Sequence, residues 1–264
     1  MNSGSVILIR DLSFAYSETG PEVLRNISID IGARNICTLL GPNGSGKTTL
    51  LNLILGWLRP LAGRIEINGR DGADFSRREM SRVVGFVPQE EPAGFELNVM
   101  EYVLLGRAPY LGFLETPGAE DRQAAEKALE AIGIRKLRGR TLPTLSAGEK
   151  QLAAIARVLA QDPQIFLLDE PMSHLDLANT QRVCWTIESL RDEGKTVVFT
   201  THDPNVASAS ADTVMLLLKG RIVASGGVRE TLNAGNIKRT YGVDADILEG
   251  PNGPVIITRL RKRC

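Results

Sequence analysis

The stretch "GPNGSGKTT" at residues 41–49 decides how the rest of the chain is interpreted. It fits the pattern G-x-x-x-x-G-K-[ST], in which glycines let backbone N–H groups turn inward around phosphate oxygens. In this pattern Lys47 reaches the β- and γ-phosphates of a nucleotide, and the Thr48 hydroxyl binds Mg²⁺. A glycine-rich turn without a ligand is the alternative. The predicted nucleotide-binding residues are Gly41, Pro42, Asn43, Gly44, Ser45, Gly46, Lys47, Thr48 and Thr49.

The sequence on both sides of this loop predicts an α/β fold. The apolar run "NICTLLG" (35–41) is typical of a buried strand that feeds the loop, and residues 47–58 continue as a helix. Two earlier runs, 5–16 and 24–31, alternate apolar and polar residues, as half-buried antiparallel strands do. Later strands are separated by helices, which implies a parallel sheet with right-handed crossovers. The remaining strands are predicted at 63–69, 82–89, 164–170, 196–203 and 212–220.

We expect a single domain of the P-loop NTPase fold. Its parts are a mainly parallel sheet core, an N-terminal antiparallel β subdomain and a helical insertion subdomain with a helix over residues 119–134. The predicted boundaries are 1–94 with 163–226 for the core and β subdomain, 95–162 for the helical subdomain and 227–264 for a C-terminal extension. A short pair of helices and a hairpin, with Asn252-Gly253 near its turn, are expected in the extension.

An acidic pair follows the strand in "IFLLDEP" (165–171). Ligands of open α/β sheets bind at the carboxyl ends of the strands, where Asp169 and Glu170 emerge. Adjacent residues of a strand point to opposite sides, so the two carboxylates should have different tasks. We predict that Asp169 holds Mg²⁺ and that Glu170 orients or deprotonates an attacking water. An acidic pair that merely ends a strand is the alternative reading.

Two further strand ends carry candidate residues. His202 lies at the end of the strand in "TTHD" (200–203), where it can point at a γ-phosphate. An isolated histidine is more often a hydrogen-bonded filler. Gln89 follows the strand in "VVGFVPQ" (83–89) and can reach Mg²⁺ and water, or it can simply cap the strand end.

A second exposed helix start occurs at "LSAGEKQ" (145–151). Ser146 and Glu149 have the spacing of a capping box, which is a sufficient structural explanation for both residues. A helix start with a serine hydroxyl and free backbone N–H groups is also a good anion clamp. This clamp need not serve the nucleotide of its own chain, because two chains related by a two-fold axis can complete each other's sites.

Taken in order, the phosphate loop, Gln89, "LSAGEKQ", "FLLDEP", "SHLD" (173–176) and "TTHD" resemble the ATP-binding-cassette (ABC) ATPase family over about residues 4 to 226. The resemblance implies a homodimer that holds two ATP molecules between head-to-tail copies. It also implies that Tyr16 stacks on adenine. The residues implied to contact the ATP of the opposite copy are Ser146, Ala147, Gly148, Glu149 and Asp176. Ala147 departs from the family, which usually has glycine there, and Leu152 replaces a usual basic residue.

The segment from Val103 to Gly112 fits "V-x-x-G-R-x-P-[YH]-x-G". It resembles importer ATPases for metal chelates such as iron-siderophore, haem or cobalamin. That resemblance implies integral membrane permease subunits as partners, which dock a coupling helix on this face, and indirectly a substrate-binding protein. Importers of oxyanions or other small solutes are the alternative. A soluble ABC ATPase acting on nucleic acid or ribosomes, or a P-loop kinase, fits the motifs less well.

Composition limits the partners and the compartment. The 31 basic residues balance the 31 acidic ones, which argues against nucleic acid as a partner. Three widely spaced cysteines fit a reducing compartment. The longest apolar runs, such as "VMLLL" (214–218), are far shorter than the roughly 18 residues of a membrane helix. We therefore expect a cytoplasmic protein that reaches the cytoplasmic face of the cell membrane only through its permease partner.

Overall fold

The computed structural model describes residues 4–89 and 96–259. The strands are β1 (Ser5–Phe14), β2 (Leu24–Gly32), β3 (Ile36–Leu40), β4 (Ala62–Ile67), β5 (Arg70–Asp71), β6 (Val84–Val87), β7 (Ile165–Leu168), β8 (Thr196–Thr201), β9 (Thr213–Leu218), β10 (Arg221–Gly227), β11 (Ala245–Gly250) and β12 (Gly253–Thr258). The helices are α1 (Lys47–Ile54), α2 (Arg77–Val83), α3 (Val99–Leu104), α4 (Ala119–Ala131), α5 (Ala147–Gln161), α6 (Leu177–Asp192), α7 (Pro204–Ser210), α8 (Val228–Thr231) and α9 (Ala234–Tyr241). Residue 95, where the helical subdomain is predicted to begin, and Cys264 lie outside the described residues.

The chain divides into two compact units. The first contains residues 4–74 and 198–259 of the described chain, and the second contains residues 75–197. β8 begins in the second unit and ends in the first.

A four-stranded sheet with the order β2-β1-β4-β5 occupies the start of the first unit. β1 pairs antiparallel with β2 and with β4, so Ile9 faces Ile29 on one side and Ile65 on the other. Ile9 is fully buried, and its neighbours in the chain alternate toward solvent, because a half-buried strand has a side-chain period of two. The antiparallel arrangement that the sequence predicts for the first two strands is confirmed.

The same unit contains the strand that leads to the glycine-rich loop. All five residues of β3 are buried, as the apolar run predicts. β3 pairs in parallel with β9, and β8 is its other neighbour. β9 turns back antiparallel into β10. The loop therefore begins at the carboxyl end of a central, buried strand.

The sequence analysis missed β10. The turn that reverses the chain is formed by Lys219 and Gly220, whose φ angles are 47° and 75°. Two consecutive positive φ angles suit a tight hairpin turn, but the first of them is rare for lysine. Because lysine is an uncommon residue at such a position, the Lys219-Gly220 pair only weakly indicates a hairpin turn.

The second unit contains the helices that the sequence predicts for the helical subdomain. α4 begins where the helix 119–134 is predicted and ends three residues earlier, at Ala131, and α5 begins at the helix start predicted in residues 145–151. β6 pairs in parallel with β7. The predicted strand 82–89 was too long at its start, because Arg82 and Val83 end helix α2. A capping box between Ser76 and Glu79 begins that helix and favours it over an extended strand.

The tail forms the predicted pair of short helices, α8 and α9, and the hairpin of β11 and β12. The turn of the hairpin lies between Gly250 and Gly253. Ile237, Ala245 and Ile256 pack in one buried cluster with Leu216 of β9, so the tail belongs to the core of the first unit. Among the residues described, no helix combines the length and apolar character that a bilayer span requires.

Candidate nucleotide-binding and catalytic site

The glycine-rich loop closes around the start of α1. Gly46 caps this helix with a φ angle of 107°, and a Cβ at this position would lie 2.7 Å from Leu24 Cδ2. Only glycine meets both conditions without strain. The Lys47 amine lies over the loop, where it donates to the carbonyl oxygen of Gly41 at 2.9 Å and more weakly to that of Pro42 at 3.4 Å. The loop thus surrounds a buried ammonium group, as a phosphate site requires.

Ser45 gives an independent indication that this loop binds a ligand. Its hydroxyl oxygen is buried and has no hydrogen-bond partner among the described residues. Buried polar atoms in proteins are rarely left without a partner. A hydroxyl at this position suits an oxygen-rich anion, so the loop fits a nucleotide phosphate.

Tyr16 presents its ring at the surface of the same unit. The residue is 66% exposed, and its hydroxyl lies 2.9 Å from Thr49 Oγ1 of α1. Phe14 supports the ring edge-to-face, with the centroids 5.0 Å apart. An exposed aromatic face anchored next to the loop has the geometry of a stacking platform. Thr49 holds this ring, a contact that the sequence analysis did not foresee.

His202 is also brought to the end of the strand beside the loop. The backbone N–H of Gly41 donates to the carbonyl oxygen of Thr201 at 3.3 Å, which ties the start of the loop to the residue before His202. Asp203 then caps α7 by accepting a hydrogen bond from the Asn205 N–H at 2.8 Å. The exposed side chain of His202 therefore lies between a strand end and a capped helix start.

The acidic strand end lies in the second unit. β7 is completely buried, and the Asp169 N–H donates to the carbonyl oxygen of Val87 at 2.8 Å. Val87 ends β6, so Gln89 and the two carboxylates follow neighbouring parallel strands at the same edge. Asp169 and Glu170 are 1% and 8% exposed, which is rare for carboxylates in a protein.

Glu170 differs from the expectation in its backbone. The strand ends at Leu168, and Glu170 has a φ angle of 46°. The strand argument that placed the two carboxylates on opposite sides therefore does not apply, because alternation holds only within extended backbone. A glutamate in the left-handed region is strained, and such strain is concentrated at functional sites.

The predicted capping box at the second helix start is confirmed. Ser146 Oγ accepts a hydrogen bond from the Glu149 N–H at 3.2 Å, and Glu149 accepts one from the Ser146 N–H at 2.9 Å. This backbone hydrogen bond from Ser146, more than any other contact, lowers the pKa of Glu149 below its ordinary value. A Cβ on Gly148 would lie 3.3 Å from the His174 carbonyl oxygen, so the helix start packs closely against the "SHLD" loop.

Asp176 has a local partner as well. It caps α6 by accepting a hydrogen bond from the Asn179 N–H at 2.8 Å. Two further buried polar atoms near these segments, Gln151 Nε2 and Ser173 Oγ, have no hydrogen-bond partner among the described residues. The sequence analysis did not single out either residue, because burial without a partner can be recognised only in three dimensions.

The motif that begins at Val103 has a packing role within the second unit. Arg107 forms an ion pair with Asp121 at 2.9 Å and donates to the Ala160 carbonyl oxygen, also at 2.9 Å. Its guanidinium lies 4.2 Å from the centre of the Tyr110 ring. Tyr110 in turn donates to the Gln161 carbonyl oxygen at 2.9 Å. The motif therefore joins the segment after α3 to α4 and to the end of α5.

A phosphate loop after a buried strand, an acidic strand end and a histidine at a strand end define a P-loop NTPase. The family model described as "ABC transporter" matches residues 24–173. The chain therefore belongs to the ABC transporter ATP-binding family. The hemin import ATP-binding protein HmuV of Nocardia farcinica is 38% identical to it over 236 residues, which cover 88% of this chain and 81% of that protein.

Solved structures agree with this assignment. One, described as a metal-chelate type ABC transporter in an inward-facing conformation, is 31% identical, has a TM-score of 0.84 and aligns over 98% of this chain and 99% of its own. Another is a dimeric post-hydrolysis state of the ATP-binding cassette MJ0796 with ADP and Pi, at 28% identity and a TM-score of 0.76, covering 84% of this chain and 99% of its own. The predicted fold class is confirmed, and the chain is an ATP-binding ATPase of the ABC class.

Proposed function

We propose that this chain is the energy-coupling ATPase subunit of a membrane importer for a metal chelate such as iron-siderophore, haem or cobalamin. The observation that carries this proposal is similarity over nearly the whole chain to a structure of the metal-chelate type. The hemin-import relative supports the same solute class.

In this proposal each copy binds ATP through its own glycine-rich loop. Residues 41–49 surround the phosphates, the Lys47 amine neutralises the β- and γ-phosphates, and the Tyr16 ring stacks on adenine. The buried ammonium group supports the phosphate assignment, as does the Ser45 hydroxyl, which has no hydrogen-bond partner within the described ranges. The exposed, anchored ring of Tyr16 supports the adenine assignment.

Mg²⁺ accompanies ATP in this proposal. Its protein ligands would be the Thr48 hydroxyl and the side-chain oxygens of Asp169 and Gln89, and such hard oxygen donors are those that Mg²⁺ prefers. When bound, the ion would withdraw negative charge from the phosphate oxygens.

The chain's own residues supply the acid–base chemistry. Glu170 orients the attacking water and accepts its proton, His202 contacts the γ-phosphate, and Gln89 contacts the metal and the water. The low exposure of Glu170 supports its role, because a carboxylate shielded from solvent can hold one water in a defined direction.

A second copy completes each nucleotide site. Ser146, Ala147 and Gly148 present the positive end of α5 to the ATP of the opposite copy, together with Glu149 and Asp176. The similarity to a dimeric cassette with ADP and Pi supports this arrangement. Because Glu149 and Asp176 already cap their own helices, we assign them the task of shaping the contact surface.

The membrane partner is proposed to dock on the face formed by the segment 97–114, which contains the motif from Val103 to Gly112. Phe113 and Leu114 are 100% and 90% exposed there, on a loop held by Arg78, which donates to the carbonyl oxygens of Pro109 and Leu111. Two large apolar side chains on a well-held loop favour a protein partner over water. The chain then lies at the cytoplasmic face of the membrane, and a substrate-binding protein acts on the opposite side.

Co-purification followed by reconstitution tests this function. The tagged chain should carry an integral membrane protein from detergent-solubilised membranes, and proteoliposomes of the complex should take up hemin, a ferric siderophore or cobalamin when ATP is present. The Glu170→Gln complex is the control, since it should assemble but not transport. Recovery of ribosomes or DNA in place of a membrane protein would contradict the proposal.

A further inference from the structure

The C-terminal segment, residues 228–258, packs against α7, the helix that begins directly after His202 and Asp203. Asn205 makes the most specific contact. Its side-chain oxygen accepts from the Ile256 N–H at 2.8 Å, and its amide donates to the Ile256 carbonyl oxygen at 3.2 Å. One side chain thus satisfies both backbone polar groups of a strand residue, as a neighbouring strand would.

A second contact lies one helical turn further along the same face of α7. The Ser208 hydroxyl donates to the carbonyl oxygen of Pro254 at 2.6 Å in a buried position. Gly253 has a φ angle of 130°, and a Cβ there would lie 2.7 Å from Ser208 Oγ and 2.9 Å from the Ser208 carbonyl oxygen. Only glycine fits at this position, so the hairpin and α7 approach each other as closely as their backbones permit.

The helix needs these contacts to keep its orientation. α7 has seven residues, whereas isolated helices shorter than about 12–15 residues are marginal in water. Ala207, on the same helix, is fully buried in one cluster with Ala245 and Ile256 of the hairpin. Tertiary packing by the C-terminal segment therefore stabilises α7.

The segment also reaches the histidine itself. Tyr241, the last residue of α9, donates a hydrogen bond from its hydroxyl to the backbone carbonyl oxygen of His202 at 3.2 Å. The backbone at His202 and the helix that follows it are thus both held by residues from beyond Val228.

We propose that the C-terminal segment positions His202 for its contact with the γ-phosphate, with Asn205 and Tyr241 as positioning residues. The catalytic part of this inference rests on the proposed role of His202, and the positioning part does not. The segment thereby acquires a task in ATP turnover, separate from nucleotide binding.

Nuclear magnetic resonance of the full chain tests the positioning directly. The sequence contains two histidines, His174 and His202, so the ¹H–¹³C spectrum has two histidine Cε1–Hε1 signals, and a His202→Ala variant assigns them. Asn205→Ala and Tyr241→Phe should shift or broaden the His202 signal and leave the His174 signal in place. The control is Glu249→Ala, which removes a surface ion pair with Arg229 inside the same segment and should move neither signal. A His202 signal unchanged in both variants would overturn the proposal.

Kinetics test the catalytic part. Asn205→Ala removes both hydrogen bonds to Ile256 and should lower kcat for ATP hydrolysis roughly fivefold to a hundredfold, the factor expected for two lost hydrogen bonds of ordinary strength. The KM for ATP should stay within about twofold, because the nucleotide contacts are untouched. In a His202→Ala background the same change should have no further effect, since residues that act through one group are non-additive.

The outcomes separate the two proposals. An equal loss of kcat in both backgrounds would show a general structural effect and overturn the catalytic inference. A His202→Ala variant with the parent rate would contradict the proposed role of His202 itself, while the spectra would still decide the positioning. Tyr241→Phe removes a single hydroxyl, so it keeps the test valid if Asn205→Ala does not fold.

Discussion

Glu170 occupies the left-handed region of backbone space, which glutamate rarely adopts, and it is almost completely buried. We expect Glu170→Gln to keep ATP affinity and to lower turnover by about 10²–10⁴-fold, the range typical of a lost general base. Because ATP is then not consumed, an ATP-bound dimer should accumulate. Phosphate release and light scattering after gel filtration measure the two effects, and a variant with the parent rate would remove Glu170 from the catalytic role.

Lys47 is the residue on which the phosphate assignment depends. Its buried amine lies over the loop, so Lys47→Ala should remove the only cation that the P-loop pattern directs at the β- and γ-phosphates. We expect ATP affinity to fall by about tenfold to a hundredfold, as for one or two charge-assisted hydrogen bonds. Titration with a fluorescent ATP analogue measures this change. Lys195→Ala, which breaks an ion pair with Asp162, is the control and should bind as the parent does.

At the scale of the element, β3, the strand that leads into the phosphate loop, contains a cysteine, Cys37. Burial raises the pKa of the Cys37 thiol to about 12. The reactive thiolate is then almost absent at pH 8. A variant that retains only Cys37 should therefore react with a thiol reagent only after denaturation. Rapid stoichiometric labelling of the native protein would show that β3 is less protected than its complete burial indicates.

The ion pair between Arg107 and Asp121 links the segment after α3 to helix α4, and its contribution to stability should depend on pH. The hydrogen bond from Arg107 lowers the pKa of Asp121 below its ordinary value. The resulting stabilisation is complete above the unfolded pKa, about 4, and is lost as the pH falls through the lower folded value. Asp121→Asn should lower Tm by roughly 2–4 °C at pH 7. This difference should shrink below pH 4, and a difference that persists undiminished in acid would contradict the ion pair as its cause.

At the scale of the whole molecule, the proposed function requires two copies. Ser146→Ala should impair hydrolysis and leave ATP binding by the monomer nearly unchanged, because Ser146 is proposed to serve the nucleotide of the opposite copy. The substitution also removes a helix cap, which costs about 1 kcal/mol. Ser76→Ala removes an equivalent capping box from α2 and is the matched control for stability. Weaker binding of ATP by the Ser146→Ala monomer would contradict the arrangement.

The local features of this protein were largely determined by its sequence. The glycine pattern of the phosphate loop, the capping box at Ser146 and the alternation in β1 depend on residues close together in the chain, so their patterns predict them directly. Where prediction failed, the local signal was weak or ambiguous. Lys219 is an uncommon residue for a tight hairpin turn, and the apolar residues of strand β6 obscured the capping box of the preceding helix α2.

Other properties were decided only by the tertiary structure. Three such properties have no pattern in the chain: the left-handed backbone of Glu170, the Ser45 hydroxyl that lacks a partner in the part of the chain that the structure describes, and the hydrogen bonds between Asn205 and Ile256. The segments involved are far apart in sequence, and each of these properties depends on which groups are buried against each other. A sequence determines such properties only through the complete packed fold, because burial and long-range hydrogen bonding arise from all the elements together.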